Sequence, residues 1–237
     1  MIEQFTTAID KLGSQYDAIV VDEAQDFLEN WWFPLQLLLE DPDDGILYLF
    51  YDDNQNIYGG LQRVKNLVQS DHSLRENCRN TQKINEIVNH FYNGSHPLTS
   101  LGPVGREVIV ETYSNQREMY GVLRRTFHKL INDENVLPED IVMLTPFSEK
   151  NSTLASSGTL GRFRLTTNWD IGPGEIYYTT IHSFKGLESP VIILAEIEPS
   201  LQHNVQELLY VACSRACSHL VIVAHQEMAK QVLAYME

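Results

Sequence analysis

Positive charge is scarce in this sequence. It has 17 lysine and arginine residues against 32 aspartate and glutamate residues, which gives a formal net charge of -15 at pH 7. Contact with a nucleic-acid backbone relies on clustered lysine and arginine, so this balance argues against a surface that coats nucleic acid generally. A local basic groove remains compatible with it, and any nucleic-acid role must therefore rest on motifs.

Cysteine is also rare, with three residues, Cys78, Cys213 and Cys217, and no CxxC pair. No disulfide framework can be read from them, so we expect a reducing, cytoplasmic environment. The spacing of Cys213 and Cys217 is one helical turn, which could suggest a metal site. No cluster of histidine or cysteine accompanies them, so two small buried side chains are the favoured interpretation.

Long apolar runs are missing, and no stretch approaches the length of a membrane span. The first residues, MIEQFTTAIDKL, contain acids and no long apolar core, which is not typical of a signal peptide. Hydrophobic residues make up 43% of the 237-residue chain and charged residues 21%. This composition predicts a packed core, in one large domain or two small ones.

Short, β-branched apolar runs recur along the chain and alternate with helical patterns. The predicted strands are AIVV, ILYLF, EVIVETY, IVMLTPF, EIYYTTI, PVIILAEI and HLVIVAH. Most are nearly continuous rather than alternating, which is typical of parallel strands buried on both faces. The rhythm of strands and helices predicts an α/β fold.

Two of the predicted helices have a clear apolar face. One face carries Ile84, Ile87, Val88 and Phe91, and the other carries Tyr120, Leu123, Phe127 and Leu130. The polar stretch 149–161 between later strands is predicted to be a surface loop. We place a boundary near Ser70, which divides the chain into residues 1–70 and 71–237.

Acidic residues follow the first two predicted strands. Asp22 and Glu23 follow AIVV, and Asp52, Asp53 and Gln55 follow ILYLF. The carboxyl ends of strands are where open α/β sheets bind ligands. Asp22 could hold Mg²⁺ through water, and Glu23 could orient or deprotonate an attacking water. Taken alone, the first stretch is equally compatible with a strand that simply meets solvent. For the second, a polar exit from strand to loop is the favoured interpretation.

Other polar residues occupy loops further along the chain. Arg79 precedes a helix, His182 and Lys185 lie between two strands, and Arg215 is predicted on a helix. Each is a weak signal alone, since a lone arginine on a helix usually belongs to a solvated surface. Their order and spacing are far more specific than the single residues.

Taken together, these stretches resemble motifs II to VI of superfamily 1 helicases of the UvrD/Rep type. The resemblance runs from Tyr16 to about Val223 and rests on DEAQD, DDNQNIYG, ENCRN, TTIHSFKGLE and LYVACSRA. Two positions differ from the usual pattern: Cys78 replaces an aromatic residue, and Ser214 replaces threonine. The amino-acid sequences of these motifs also resemble the helicase-like part of bacterial proteins that carry a nuclease-related (NERD) domain.

The resemblance implies RecA-like parallel sheets flanked by helices, in two lobes with ATP between them. Asp22 would organise Mg²⁺, and Glu23 would activate water. Gln55 would contact the γ-phosphate, and Arg79 and Arg215 would act as arginine fingers. An arginine places positive charge beside the negative charge that spreads over the equatorial oxygens of the transferred phosphoryl group, which fits that role.

The same resemblance assigns a second group of residues. Gly186 and Glu188 would take part in nucleotide binding, with Glu188 holding the ribose or bracing the cleft. Tyr58, His182 and Lys185 would face single-stranded DNA through stacking and phosphate contact. For Tyr58 and His182, packing inside a lobe is an alternative of nearly equal weight.

One part of the family's machinery is not found in the sequence. A G-x-x-x-x-G-K-[ST] phosphate-binding loop is required for tight nucleotide binding, and the 237 residues contain no Gly-Lys pair. We expect a truncated first lobe over residues 1–70 and a complete second lobe over residues 71–237. We also expect weak ATP binding and negligible turnover by this chain alone.

Three interpretations follow. The chain is part of a helicase or translocase, or one half of a split ATPase completed by a partner, or a non-catalytic adaptor. A first lobe without its P-loop strand would expose apolar surface and need a protein partner or a further segment to cover it. Trp31, Trp32 and Phe33 are candidates for that surface, although ordinary helix-to-sheet packing is the favoured interpretation.

Overall fold

The computed structural model describes residues 2–41, 43–55, 61–68, 70–94, 96–201 and 205–234. Contacts divide the chain into two compact units, Met1–Leu74 and Arg75–Glu237. Each unit is described by itself below. That they are the two lobes of a helicase remains a prediction.

The first unit is a small α/β assembly. Its elements are α1 (Ile2–Leu12), β1 (Ala18–Val21), α2 (Glu29–Gln36), β2 (Ile46–Leu49) and α3 (Leu61–Leu67). Strands β1 and β2 pair in parallel, with Ala18 opposite Ile46 and Val21 opposite Leu49. Short 3₁₀ turns, Ala24–Asp26 and Asp53–Gln55, follow the two strands.

One face of this two-stranded sheet packs and the other is exposed. Val21 and Trp32 belong to the buried core of the unit, and Trp32 is 0% exposed. Val20 and Tyr48 lie opposite each other on the other face and are 64% and 61% exposed. The prediction of strands buried on both faces is therefore wrong for β1 and β2. Because side chains alternate along a strand, a sheet packed on one side leaves every second residue open.

The three neighbouring aromatic residues of α2 divide in the same way. Trp32 points into the core, whereas Trp31 and Phe33 are 36% and 67% exposed. The helix contains Pro34 and is eight residues long. Only one of the three thus follows the predicted helix-to-sheet packing.

The second unit holds the main sheet. Its strands are β3 (Glu76–Asn77), β4 (Thr99–Ser100), β5 (Ile109–Tyr113), β6 (Ile141–Thr145), β7 (Thr159–Leu160), β8 (Phe163–Thr166), β9 (Glu175–Thr180), β10 (Ser189–Ile197) and β11 (Ala216–His225). Its helices are α4 (Gln82–Phe91), α5 (Gln116–His128), α6 (Thr153–Ser157), α7 (Val205–Ser214) and α8 (Gln226–Ala234).

Seven strands form this sheet in the order β5-β11-β10-β6-β9-β8-β7, and β3 pairs with β4 separately. All neighbours in the large sheet are parallel except the β7–β8 pair. All five residues of β6 are buried, and so are Ile192, Ile193 and Leu194 in succession on β10. The predicted α/β fold is confirmed, with central strands covered on both faces.

Helices cover the sheet as their sequence patterns predict. The apolar face of α4 is buried at Ile84, Ile87, Val88 and Phe91. The face of α5 buries Leu123 and Phe127 completely, and its chain continues into a π-helical turn, Lys129–Asp133. Side chains of Thr81, Asn115 and Ser152 accept a backbone N–H at the starts of α4, α5 and α6.

The stretch 149–161, predicted to be a surface loop, is partly built into the unit. It contains α6 and β7, and Ser152, Leu154 and Leu160 are buried. The buried carboxylate of Glu196 on β10 accepts hydrogen bonds from the hydroxyls of Thr145, Ser152 and Thr153, at 2.6, 2.7 and 2.7 Å. This carboxylate holds the segment 149–161 against the sheet, and its hydrogen bonds allow the polar side chains of the segment to be buried.

Within the part of the chain that the structure describes, no helix has both the length and the apolar character that a bilayer crossing requires.

Candidate nucleotide and nucleic-acid sites

In the first unit, the predicted water-activating residue begins a sharp turn at the carboxyl end of β1. Glu23 has φ 49° and ψ 42°, in the left-handed region that a residue other than glycine rarely adopts. The next residue, Ala24, donates its N–H to Phe50 O at 2.9 Å, which ties this turn to the end of β2. Both strand ends are thereby held together, as their parallel pairing requires.

A chain of hydrogen bonds links Glu23 to Gln55. Gln25 is fully buried, and its Nε2 donates to Glu23 Oε2 at 2.5 Å. Gln25 Oε1 accepts from Asp52 N at 3.1 Å, and Asp52 Oδ2 accepts from Gln55 Nε2 at 2.8 Å. The structure therefore connects the two residues that were predicted to activate water and to sense the γ-phosphate.

Gln25 and Asp52 were not among the predicted site residues. Both lie inside the quoted motifs, as the glutamine of DEAQD and the first acid of DDNQ. Their position beside polar strand ends was a usable signal. The sequence could not predict that Gln25 and Asp52 connect Glu23 to Gln55, because this depends on which side chains the 3₁₀ turns bring together.

Among the described residues of the first unit, Asp22 has a carboxylate that fits a hydrated divalent cation. Asp22 is exposed, and its Oδ1 accepts from Glu23 N at 2.9 Å. No cluster of three or more histidine, cysteine, aspartate or glutamate side chains gathers among the described residues. Mg²⁺ commonly keeps several waters and takes one or two protein carboxylates together with substrate phosphates. Asp22 fits that mode and would not build an all-protein cage.

In the second unit, two predicted nucleotide-site residues meet. Arg79 Nε donates to Glu188 Oε2 at 2.6 Å, and the two side chains are 40% and 54% exposed. Arg79 lies between β3 and α4, whereas Glu188 directly precedes β10. Because the guanidinium is partly exposed, it can offer further N–H groups to an anionic ligand.

An asparagine network fixes the backbone around Arg79. Asn77 Oδ1 accepts from the N–H groups of Arg79 and Asn80, both at 3.1 Å. Asn80 is 2% exposed, and its Nδ2 donates to Ser214 O at 3.1 Å and to Ala216 O at 2.6 Å. The loop that carries Arg79 is thus bonded to the residues on either side of Arg215.

Arg215 lies one residue beyond the end of α7 and is 1% exposed, although it was predicted on the helix. Its Nε donates to Val211 O at 3.2 Å, and its Nη1 donates to Leu187 O at 3.3 Å. Ser189 N donates to Arg215 O at 3.0 Å. Arg215 therefore supports the segment around Glu188 in this structure, and its role as an arginine finger stays a prediction.

The loop between β9 and β10 carries the remaining described candidates. Phe184 is fully buried and anchors this loop, while Phe184 N donates to Thr180 O at 3.1 Å. Gly186 has φ 79°, which explains glycine at this position because other residues are strained there. His182 and Lys185 are half-buried on the same loop.

Burial lowers the pKa of His182 below its ordinary value, and the charge of Lys185 lowers it further. The imidazole is therefore neutral at pH 7, and Lys185 carries the positive charge of this loop. Tyr58, the third predicted nucleic-acid residue, lies outside the described residues.

The cysteine pair does not form a metal site among the described residues. Helix α7 ends at Ser214, so Cys213 lies on the helix and Cys217 on β11. Their predicted separation by one helical turn is therefore wrong. Burial raises the pKa of the Cys213 thiol, which fits its interpretation as a small core side chain.

Residues 175–223 match the family model described as the UvrD-like helicase C-terminal domain. A comparison with curated protein sequences finds no match. The matched range contains His182, Lys185, Gly186, Glu188 and Arg215.

Two solved structures are similar to the chain. The C-terminal domain of a possible DNA helicase from Lactobacillus plantarum WCFS1 is 20% identical, with a TM-score of 0.47, and the match covers 62% of this chain and 87% of that one. An arterivirus nonstructural protein 10 (helicase) is 18% identical, with a TM-score of 0.50 over 95% of this chain.

The chain spans 42% of the length of the arterivirus protein. At this identity the likeness shows a shared fold, which here is a mostly parallel, RecA-like α/β arrangement. Residues 175–223 are thus similar to the UvrD-like helicase C-terminal domain, and the chain as a whole has an α/β fold of the RecA type.

Proposed function

We propose that this chain is the nucleotide-responsive and DNA-contacting part of an ATP-dependent superfamily 1 helicase or translocase of the UvrD/Rep type. The observation that carries the proposal is the contact of Arg79 with Glu188, two residues from separate motifs that the resemblance places at the nucleotide site. Within the family, the amino-acid sequences of the motifs favour a relationship to the helicase-like part of proteins with a NERD domain. We also propose a cytoplasmic location, on the basis of the few cysteines and the lack of a disulfide framework.

The described residues support distinct steps of phosphoryl transfer. Glu23 would accept a proton from the attacking water, and Gln25 holds its Oε2 in a fixed direction. Gln55, whose amide is oriented by Asp52, would contact the terminal phosphate. Asp22 would hold Mg²⁺, which supplies charge neutralisation of the phosphate oxygens when bound.

Arg79 and Arg215 would supply positive charge to the phosphate groups of the nucleotide. Arg79 has an exposed edge, whereas Arg215 would have to leave the carbonyl groups of Val211 and Leu187 to reach a ligand. A well-placed arginine contributes on the order of 10³-fold or more to phosphoryl transfer. Arg79 is therefore the stronger candidate for direct contact, and Arg215 the stronger one for positioning Glu188.

Hydrolysis requires a phosphate-binding loop, and the 237 residues contain no G-x-x-x-x-G-K-[ST] motif. We therefore propose that this loop is supplied by a further segment or by a partner chain. The exposed strand face with Val20 and Tyr48 supports such an addition, because apolar strand residues left open favour a covering element.

The test measures ATP hydrolysis and single-stranded DNA binding by the purified chain. We expect turnover no higher than that of Glu23→Gln, together with salt-sensitive DNA binding that Lys185→Ala weakens and Lys230→Ala does not. Lys230 is an exposed lysine on α8 and serves as the matched control. DNA-stimulated turnover abolished by Glu23→Gln would overturn the need for an added loop.

A non-catalytic adaptor is the second candidate, favoured by the same exposed strand face and by the net charge of -15. It predicts no DNA binding at low salt and no effect of Lys185→Ala. In that case Tyr48→Lys, on the exposed face, should abolish association with a partner protein instead.

A further inference from the structure

Trp169 is a large exposed aromatic residue that belongs to none of the helicase-like motifs. Its side chain is 60% exposed, whereas Trp32 is fully buried. It lies in the connection between β8 and β9, three residues beyond Thr166, the last residue of β8. Strands β8 and β9 run parallel, with Thr166 opposite Tyr177. The chain therefore leaves both strands at the same end of the sheet, the end formed by the carboxyl termini of the parallel strands. The loop with His182 and Lys185 lies at this end too.

Two aromatic rings hold the indole against that loop. The ring of Tyr177 meets Trp169 edge-on, with centroids 4.6 Å apart and planes at 75°. Phe184 is offset and nearly parallel, with centroids 6.2 Å apart and planes at 29°. Phe184 is buried and immediately precedes Lys185. The exposed indole is thus fixed directly beside a lysine-bearing loop.

The backbone that carries Trp169 is also ordered by hydrogen bonds. Asn168 N donates to Thr166 Oγ1 at 3.1 Å, and Asp170 N donates to Asn168 Oδ1 at 3.2 Å. At the other end of the connection, Gly172 N donates to the carboxylate of Glu175 at 2.6 Å, and Arg164 pairs with the same carboxylate. An aromatic ring held in place in this way loses little freedom when a ligand stacks on it.

We propose that Trp169 is a stacking platform for a base of single-stranded nucleic acid, whose phosphate lies near Lys185. This inference rests on the proposed DNA-contacting function and adds a residue that the motifs do not contain. Proteins that bind single strands combine cationic contacts to the backbone with aromatic side chains on which bases stack. A duplex would not fit, because its base faces are covered by neighbouring base pairs.

The experiment separates stacking from charge by comparing two ligands of equal length. Binding of a labelled oligothymidylate and of an abasic deoxyribose-phosphate oligomer is measured by fluorescence anisotropy at low salt. Trp169→Ala is expected to weaken oligothymidylate binding about tenfold and to leave abasic binding unchanged. Trp169→Phe should retain most of the preference, and Lys185→Ala should weaken both ligands equally. Trp31→Ala, in the first unit, is the matched control.

A second readout uses variants that keep an aromatic ring and therefore the packing. Oligothymidylate should quench the tryptophan fluorescence of the unmodified chain, and Trp169→Phe should abolish that quenching. The platform is refuted if Trp169→Ala and Trp169→Phe bind oligothymidylate as tightly as the unmodified chain while Lys185→Ala weakens it. If the unmodified chain binds neither oligomer, the proposed DNA-contacting function fails and the platform fails with it.

Discussion

Arg79 Nε and Glu188 Oε2 lie 2.6 Å apart, although 109 positions separate the two residues in the chain. The side chains are 40% and 54% exposed, so solvent screens their attraction. Exposed ion pairs contribute up to about 1 kcal/mol to the free energy of unfolding. Under the proposed function the pair serves ligand binding, and we expect it to contribute little to stability.

A double-mutant cycle tests that explanation. We expect Arg79→Ala, Glu188→Ala and the double variant to show a coupling energy below about 1 kcal/mol in urea unfolding. Arg125→Ala, an exposed arginine on α5, is the control for loss of a surface charge. A coupling energy above about 2 kcal/mol would assign the pair a structural role instead.

Asn80 should matter far more for folding than Arg79. Its buried amide serves two carbonyl oxygens, those of Ser214 and Ala216. We expect Asn80→Ala to lower the free energy of unfolding by about 1–3 kcal/mol, since both acceptors lose their donor. Asn80→Asp should cost more, because a carboxylate oxygen would face those carbonyls. Asn151→Ala, at an exposed turn, should change stability by less than about 0.5 kcal/mol.

Two glycines allow a matched comparison of backbone strain. Gly186 has φ 79°, and an added Cβ there would meet nothing within 4 Å. Gly186→Ala should therefore destabilise the chain by about 1–2 kcal/mol through conformation alone. Gly121 lies inside α5, where an added Cβ would contact Arg125 Nη1 at 3.5 Å. Gly121→Ala should stabilise the chain by up to about 1 kcal/mol, and urea unfolding of both variants would show opposite signs.

His219 predicts a pH dependence of stability. It is buried on β11, and neither ring nitrogen has a hydrogen-bond partner among the described residues. Burial lowers its pKa below 6.5, Arg106 and Lys129 lower it further, and Glu134 acts in the opposite direction. The unfolded chain then binds the proton more readily than the folded chain. Stability from the neutral ring is complete above pH 6.5 and is lost as pH falls below it.

The test is urea unfolding between pH 7 and pH 5.5. His219→Leu should reduce the loss of stability over this interval, because a leucine side chain takes up no proton. An unchanged slope would mean that other groups, such as His182, cause the pH dependence. The same variant should keep or raise stability at pH 7, since it removes two buried nitrogen atoms without partners.

The sequence predicted elements that local pattern controls. The sequence predicts the apolar faces of two helices, α4 and α5, and the continuous apolar runs of three strands, β6, β10 and β11. Burial in these elements follows the helical and strand periods. The two-residue β7 was not predicted, since it is short and lies in a polar stretch. The burial of that stretch also depends on Glu196, a distant residue whose carboxylate accepts hydrogen bonds from the hydroxyls of Ser152 and Thr153.

The candidate site shows the same division. The order of the motifs indicated Glu23, Gln55, Arg79 and Glu188 as candidate site residues. It could not identify Gln25, Asn80 or Trp169, because their roles depend on contacts that only folding creates. The buried state of Arg215 was equally unreadable, since an arginine beside a helix end is usually solvated.

The edges of the seven-stranded sheet also govern how the protein behaves at high concentration. One edge is β7, which is two residues long and antiparallel, and it offers almost no row of backbone groups to another molecule. The opposite edge, β5, places the charged Glu111 at an exposed position. Short strands and charges at an edge discourage edge-to-edge pairing between molecules. We therefore expect the edges of this sheet to resist fibril-like pairing, despite a core rich in β-branched residues.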